Sequence, residues 1–185
     1  MPTPYLKPPN FAPPDRRRFL LFFDGGPWGI PGSDGTGAVV ARVGDDIADL
    51  EVVWVCSMSF ACRRTTNNVA ENCGLVMGLR ECHQRGWTPL RVIGDSNLVI
   101  QQHKRRTPPR ARHRQARYWQ CRLLTDMLTV VSWTHHYGDY STMLTNMAMD
   151  SKRSIQVSSD RLDVRWDKVH ASALHDSKRS DPYDY

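Results

Sequence analysis

The stretch Phe19-Leu20-Leu21-Phe22-Phe23-Asp24-Gly25-Gly26 decides the fold. Its continuous apolar run reads as a central strand buried on both faces, since a half-exposed strand would alternate. Gly25-Gly26, Pro31-Gly32 and Gly35 then mark a turn-rich hairpin. Ala38 to Val43 and Val52 to Phe60 supply a second and a third strand, so the three form an antiparallel meander.

Downstream the period changes. Asn68 to Gln84 reads as a helix: Val69, Cys73 and Val76 share one face, Leu75, Leu79 and Cys82 extend it, and Gly86 ends it. Leu90 to Ile93 is a short strand running into Gly94-Asp95, and Asn97 to Gln102 starts another helix. Pro108-Pro109 interrupts it and Ala111 to Leu124 resumes helix. Met127 to Trp133 is a further strand and Met143 to Met149 a last helix. The order βββαβαβα, with two helix-linked strands beside a meander, implies an α/β fold: a mixed sheet with helices on its faces.

That topology gives three acids a meaning. Asp24 follows the first apolar run and Asp95 the fourth. If both strands are central and parallel, the two carboxylates stand side by side at the rim where such sheets bind ligands. Glu71 lies in the first turn of the first long helix, and at roughly 100° per residue it falls on the edge of the buried stripe. Carboxylates that converge repel one another and need a cation. Hard oxygen ligands suit Mg²⁺ or Mn²⁺, and two such ions roughly 3.5–4 Å apart can activate water and stabilise the leaving oxygen of a phosphodiester. Each acid also has a purely structural reading: Asp24 as a turn residue, Asp95 as a helix cap, Glu71 as the partner of a capping Asn68.

Phe23-Asp24-Gly25-Gly26, Thr66-Asn67-Asn68-Val69-Ala70-Glu71 and Gly94-Asp95-Ser96 resemble the signatures of type 1 ribonuclease H, within the ribonuclease H-like superfamily. The likeness is nearest to the domains associated with LTR retroelements. Trp133, His135-His136-Tyr137 and Asn146-Met147-Ala148-Met149-Asp150 resemble the end of that domain. The resemblance implies a five-stranded mixed sheet flanked by helices and hydrolysis of the RNA strand of RNA–DNA hybrids. It implies Asp24, Glu71 and Asp95 as metal ligands, with Gly25, Gly26, Asn67, Asn68 and Ser96 at the nucleic acid. An Asn side chain both donates and accepts, so it can meet a base edge and a 2′-hydroxyl, though it can equally cap the helix. The chain departs from the pattern where relatives carry the fourth metal-binding Asp: Leu144-Thr145 stands there, and the link from Trp133 is about one helical turn short. Asp139, on the loop entering the last helix, is the better-placed substitute; Asp150 sits at the far end. Trp28, after Gly26-Pro27, is read as stacking on substrate or packing under the hairpin.

A net charge of +6 over 185 residues favours a polyanionic partner. His103-Lys104-Arg105-Arg106, then Arg110, Arg112, Arg114 and Arg117, form a basic segment before Tyr118-Trp119, with Lys104, Arg105 and Arg106 expected on substrate phosphates. His135 or His136 could move a proton, or one packs while the other is exposed. Five scattered cysteines offer no paired zinc ligands and fit a reduced, intracellular setting, nucleus or cytoplasm, and no apolar run is long enough for a membrane span. Residues 1–18 read as a Pro/Arg-rich arm, 19–150 as the domain and 151–185 as a mostly disordered polar tail. The expectation is a monomeric hybrid-cutting nuclease; the alternatives are a degenerate copy that binds without cutting, or a piece of a reverse-transcriptase polyprotein, for which the Pro-rich start would be a linker.

Overall fold

The computed structural model describes residues 18–27, 34–45, 49–60, 66–136, 155–158 and 171. Six strands and three helices follow in the order β1 (Arg18–Pro27), β2 (Asp34–Val43), β3 (Leu50–Phe60), α1 (Asn67–Arg85), β4 (Leu90–Gly94), α2 (Asn97–Lys104), α3 (Arg112–Met127), β5 (Val130–His135) and β6 (Ile155–Ser158). The expected last helix at Met143 to Met149, Asp139, Asp150, Trp28 and the arm before Arg18 lie outside the described residues.

The strands lie side by side as β5-β4-β1-β2-β3-β6. β1 runs antiparallel to β2, β2 to β3 and β3 to β6, whereas β1 is parallel to β4 and β4 to β5. The five expected strands thus form the mixed sheet, with β1 at its centre. β6 adds a sixth. It falls in the stretch expected to be mostly disordered, where Ile155-Gln156-Val157 is too brief an alternation to stand out from its polar surroundings, and it pairs with Trp54 to Ser57 of β3.

The glycine pair corrects the sequence reading. Gly25 and Gly26 are not a turn: β1 continues through them to Pro27, opposite Thr36 and Gly35 of β2. Their backbone pairing overrides the turn preference of the residue type. Met127 likewise belongs to the end of α3 rather than to a strand, because the helix continues until Leu128 N–H bonds the Leu124 carbonyl. At the end of α1, Gly86 does act as expected, taking a left-handed φ of 66° and donating its N–H to the last carbonyls.

One core holds these parts together. Leu75, Val76, Leu79 and Cys82 of α1 bury against Phe19, Leu21 and Phe23 of β1 and Ala38 and Val40 of β2, with Cys121 of α3 in the same cluster. Each fully buried Leu or Phe contributes about 1.5–3 kcal/mol, so the apolar run of β1 anchors the strand that carries Asp24. Among the described residues no helix is long and apolar enough to cross a membrane.

Candidate active site

Asp24 lies inside β1, opposite Gly37, and its side chain is buried. Its Oδ1 accepts the Gly25 N–H at 2.7 Å, while its carbonyl accepts the Thr36 hydroxyl at 2.8 Å. The strand, not a turn, therefore orients it. Parallel pairing of β1 with β4 sets Phe23 beside Gly94, so the next residue in each strand direction, Asp24 or Asp95, comes to the same rim. Asp95 does not cap α2. Ser96 does, its Oγ accepting the Val99 N–H at 3.4 Å.

Glu71 arrives from α1. The N-cap is Thr66, without a side-chain cap bond, and Asn72 Nδ2 donates to the Asn68 carbonyl at 2.6 Å, so no capping pair of Asn68 with Glu71 forms. Glu71 is instead buried one turn into the helix, where the Ser96 side chain hydrogen-bonds it. Gly25 makes this position possible: a Cβ there would run into Ala70 and the Glu71 backbone. Gly25 is thus buried under the first turn of α1, while Gly26 faces open space.

The three acids lie close enough to act on one another electrostatically. Burial first, then the charge of Asp24, its hydrogen bond and the charge of Glu71, push the Asp95 carboxyl up to about 8. Burial, then Asp24, also raises Glu71 against the lowering bond from Ser96. Burial and the neighbouring acids thus act together against charge on the Asp95 carboxyl. Glu71 Oε2 and Asp95 Oδ1 are buried without hydrogen-bond partners. Among the described residues no three His, Cys, Asp or Glu side chains are gathered tightly enough to enclose an ion as they stand. The donor chemistry nonetheless fits a hard divalent cation, which would engage the two orphaned oxygens.

The other expected site residues divide. Asn67 is exposed and Asn68 half-buried at the start of α1, beside Glu71. Ser96 is buried and committed to its helix and to Glu71. Lys104, Arg105 and Arg106 are exposed where α2 ends, although Arg106 also pairs with Asp126 at 3.6 Å. His103 does not belong to the cationic surface: it is 1% exposed, and burial, then Arg122, push it down to about 3, so it is neutral. Arg117 turns inward as well, its Nε donating to Cys73 Sγ at 3.1 Å. Helical spacing from Val99 and Ile100 could have assigned His103 to the buried face.

Sequence reasoning also undervalued His135. Both His135 and His136 are half-buried, and His135 Nε2 donates to the Asp95 carbonyl at 2.9 Å while His136 N–H donates to the Gly94 carbonyl at 2.9 Å. The end of β5 thereby braces the backbone that carries Asp95. Only the parallel pairing of β4 with β5 brings these residues together.

A family model described as Reverse transcriptase-like matches residues 33–150. Bifunctional protein Rv2228c of Mycobacterium tuberculosis (strain ATCC 25618 / H37Rv) is 34% identical over 137 residues, which make up 72% of this chain and 36% of that protein. The solved N-terminal RNase H domain of rv2228c, a fusion with maltose binding protein, superposes with a TM-score of 0.60 at 29% identity, covering 72% of this chain and 94% of that one. LC11-RNase H1, solved in complex with an RNA/DNA hybrid, shares the fold with a TM-score of 0.60 at 21% identity over 73% of this chain and 99% of its own. Sheet order and these matches agree: the chain belongs to the Reverse transcriptase-like family and is a member of the ribonuclease H-like superfamily.

Proposed function

We propose that the chain is a metal-dependent endonuclease that hydrolyses the RNA strand of RNA–DNA hybrids. The observation that carries this reading is the meeting of Asp24, Glu71 and Asp95 at one rim, with two buried carboxylate oxygens left without partners. The three side chains would hold Mg²⁺ or Mn²⁺, with Asp139 as the candidate fourth ligand. Bound there, divalent ions supply Lewis-acid chemistry for water attack and for departure of the leaving oxygen. Hydrolysis leaves a 5′-phosphate on one fragment and a 3′-hydroxyl on the other.

The protein's own groups do the rest. Gly25 lets Glu71 approach, Ser96 orients it, and His135 steadies the Asp95 backbone. Asn67 and Asn68 stand where their amides can meet base edges and a 2′-hydroxyl, which distinguishes RNA from DNA. Lys104 and Arg105 supply cations for the DNA strand's phosphates. The RNA/DNA hybrid bound by LC11-RNase H1 supports this choice of substrate.

A second reading, a binder that does not cut, draws on Leu144-Thr145 at the place of the fourth acid. One assay separates them. With a labelled hybrid and Mg²⁺, the wild-type chain should cut the RNA strand, Asp95→Asn should not, and both should bind. Wild-type binding without cleavage would transfer the conclusion to the binder.

A further inference from the structure

Cys73 on α1 and Cys121 on α3 approach the contact between those helices from opposite sides. Arg117 of α3 donates its Nε–H to Cys73 Sγ at 3.1 Å, so the Cys73 side chain points at α3. Cys121 stands four residues after Arg117 in the same helix, and side chains at that spacing share a face, about 5–6 Å apart at Cβ. It is fully buried and belongs to the same core cluster as Val76, one turn beyond Cys73 in α1. Burial first, then the nearness of Cys73, raise the Cys121 thiol. Packed helices have axes roughly 8–10 Å apart, with Cα atoms about 2.3 Å out from each axis. Facing residues thus come within the roughly 4.4–6.8 Å that a disulfide spans between Cα atoms.

The other described thiols are placed differently. Among the described residues Cys73 alone of the cysteines is not fully buried. Cys56 is buried with its Sγ 3.6 Å from Met77 Sδ, a thioether that offers no second thiol, and Cys82 is buried in the core. Cys73 is therefore the thiol that a dissolved oxidant reaches, and Cys121 the one that reaches Cys73 from within the fold.

We propose that Cys73 and Cys121 are an oxidisable pair, closed by a hydroperoxide into a disulfide that joins α1 to α3 without distorting the fold. Cys73 Sγ attacks hydrogen peroxide: an S–O bond forms, the O–O bond breaks, and the thiol proton leaves with the departing oxygen as water. Cys121 Sγ then displaces the hydroxyl from the Cys73 sulfur, and its own proton completes a second water. Two electrons pass from the sulfurs to the peroxide. Reduced, the two helices are held by packing and by the hydrogen bond of Arg117 to Cys73. Oxidised, they are held covalently two residues beyond Glu71, and the closed loop contains β4 and α2. The bond is a property of the fold and stands apart from what the carboxylate rim does.

The test treats the folded full chain with stoichiometric hydrogen peroxide and then blocks remaining thiols with N-ethylmaleimide. Peptide mass mapping should find the Cys73 and Cys121 peptides joined, two hydrogens lighter than their sum, in a chain that stays monomeric on a non-reducing gel. The thermal midpoint of the oxidised chain should rise by about 5–10 °C, because the cross-link restricts the unfolded state. Dithiothreitol should return it to the reduced value. Cys73→Ser, at a half-buried position, should remove both the joined peptide and the rise, and Cys121→Ala should do the same. The peptide map is read on the wild-type chain, so it decides the matter even where a variant fails to fold. A Cys73 peptide that gains only oxygen overturns the proposal, as does a bond from Cys73 to any other cysteine, Cys62 included. A joined pair that forms only in urea, or a joined chain that melts no higher than the reduced one, overturns it too.

Discussion

His103 is stacked between Tyr118 and Trp133, with centroids 4.9 and 4.8 Å away and the rings within 21° of parallel. Neither ring nitrogen has a hydrogen-bond partner, and Arg122, whose Nη1 lies 3.5 Å from the His103 carbonyl, opposes a second positive charge. The folded chain therefore keeps this imidazole neutral down to about pH 3, while the unfolded chain protonates it near the ordinary 6.5. The unfolded state binds more protons between those values, so this residue's effect is absent above pH 6.5 and lowers stability as pH falls toward 3. The slope reaches at most about 1.4 kcal/mol per pH unit. His103→Phe keeps the stack and removes the two orphaned nitrogens. Urea titrations of wild type and variant across pH 4 to 7 should show the variant gaining relative stability as pH drops. The difference between the two curves isolates His103 from Asp95, whose raised carboxyl favours the fold in acid.

The contact of β1 with the first turn of α1 is the element-scale feature on which the candidate site depends. Two backbones approach at Gly25 so closely that a methyl group would collide with Ala70 and the Glu71 backbone. Gly25→Ala should cost about 1–3 kcal/mol by overpacking, read as a lower urea midpoint. It should also lower hybrid cleavage on the order of a hundredfold, because it displaces Glu71 by a fraction of a helix diameter while leaving Asp24 and Asp95 in register. This contact was not legible in the chain. Gly25-Gly26 carries the same letters as a turn, and only pairing with Thr36 and Gly35 reveals a strand. The capping readings failed for a related reason. Asn68, Glu71 and Asp95 all stand near helix starts, but Thr66 and Ser96 occupy the N-cap positions, and which residue takes that place depends on where the preceding strand or loop releases the chain.

At the scale of the whole molecule, the proposed function gives the exposed cations a role in holding the hybrid. Lys104 and Arg105 are exposed, whereas Arg106, Arg117 and Arg122 each engage neighbours within the fold. Hybrid affinity should therefore fall steeply with salt, and Lys104→Gln with Arg105→Gln should flatten the logarithmic slope by up to about 1.8, at ~0.9 per duplex contact. Arg122→Gln should lower the thermal midpoint without changing that slope, since its guanidinium is spent on Asp126 at 2.9 Å and on the His103 carbonyl.

By itself the chain determined the order of elements from β1 to β5, the central place of Phe19 to Phe23 and the three acids worth watching. Each of these follows from local pattern: an unbroken apolar run, a helical stripe, a carboxylate at the end of a strand. What only the tertiary structure decided is proximity: Asp95 brought against Asp24, Ser96 reaching Glu71 and His135 touching the Asp95 backbone. Such contacts join residues far apart in the chain through parallel pairing, and a parallel register is set by packing of the whole sheet, which no short window of sequence contains.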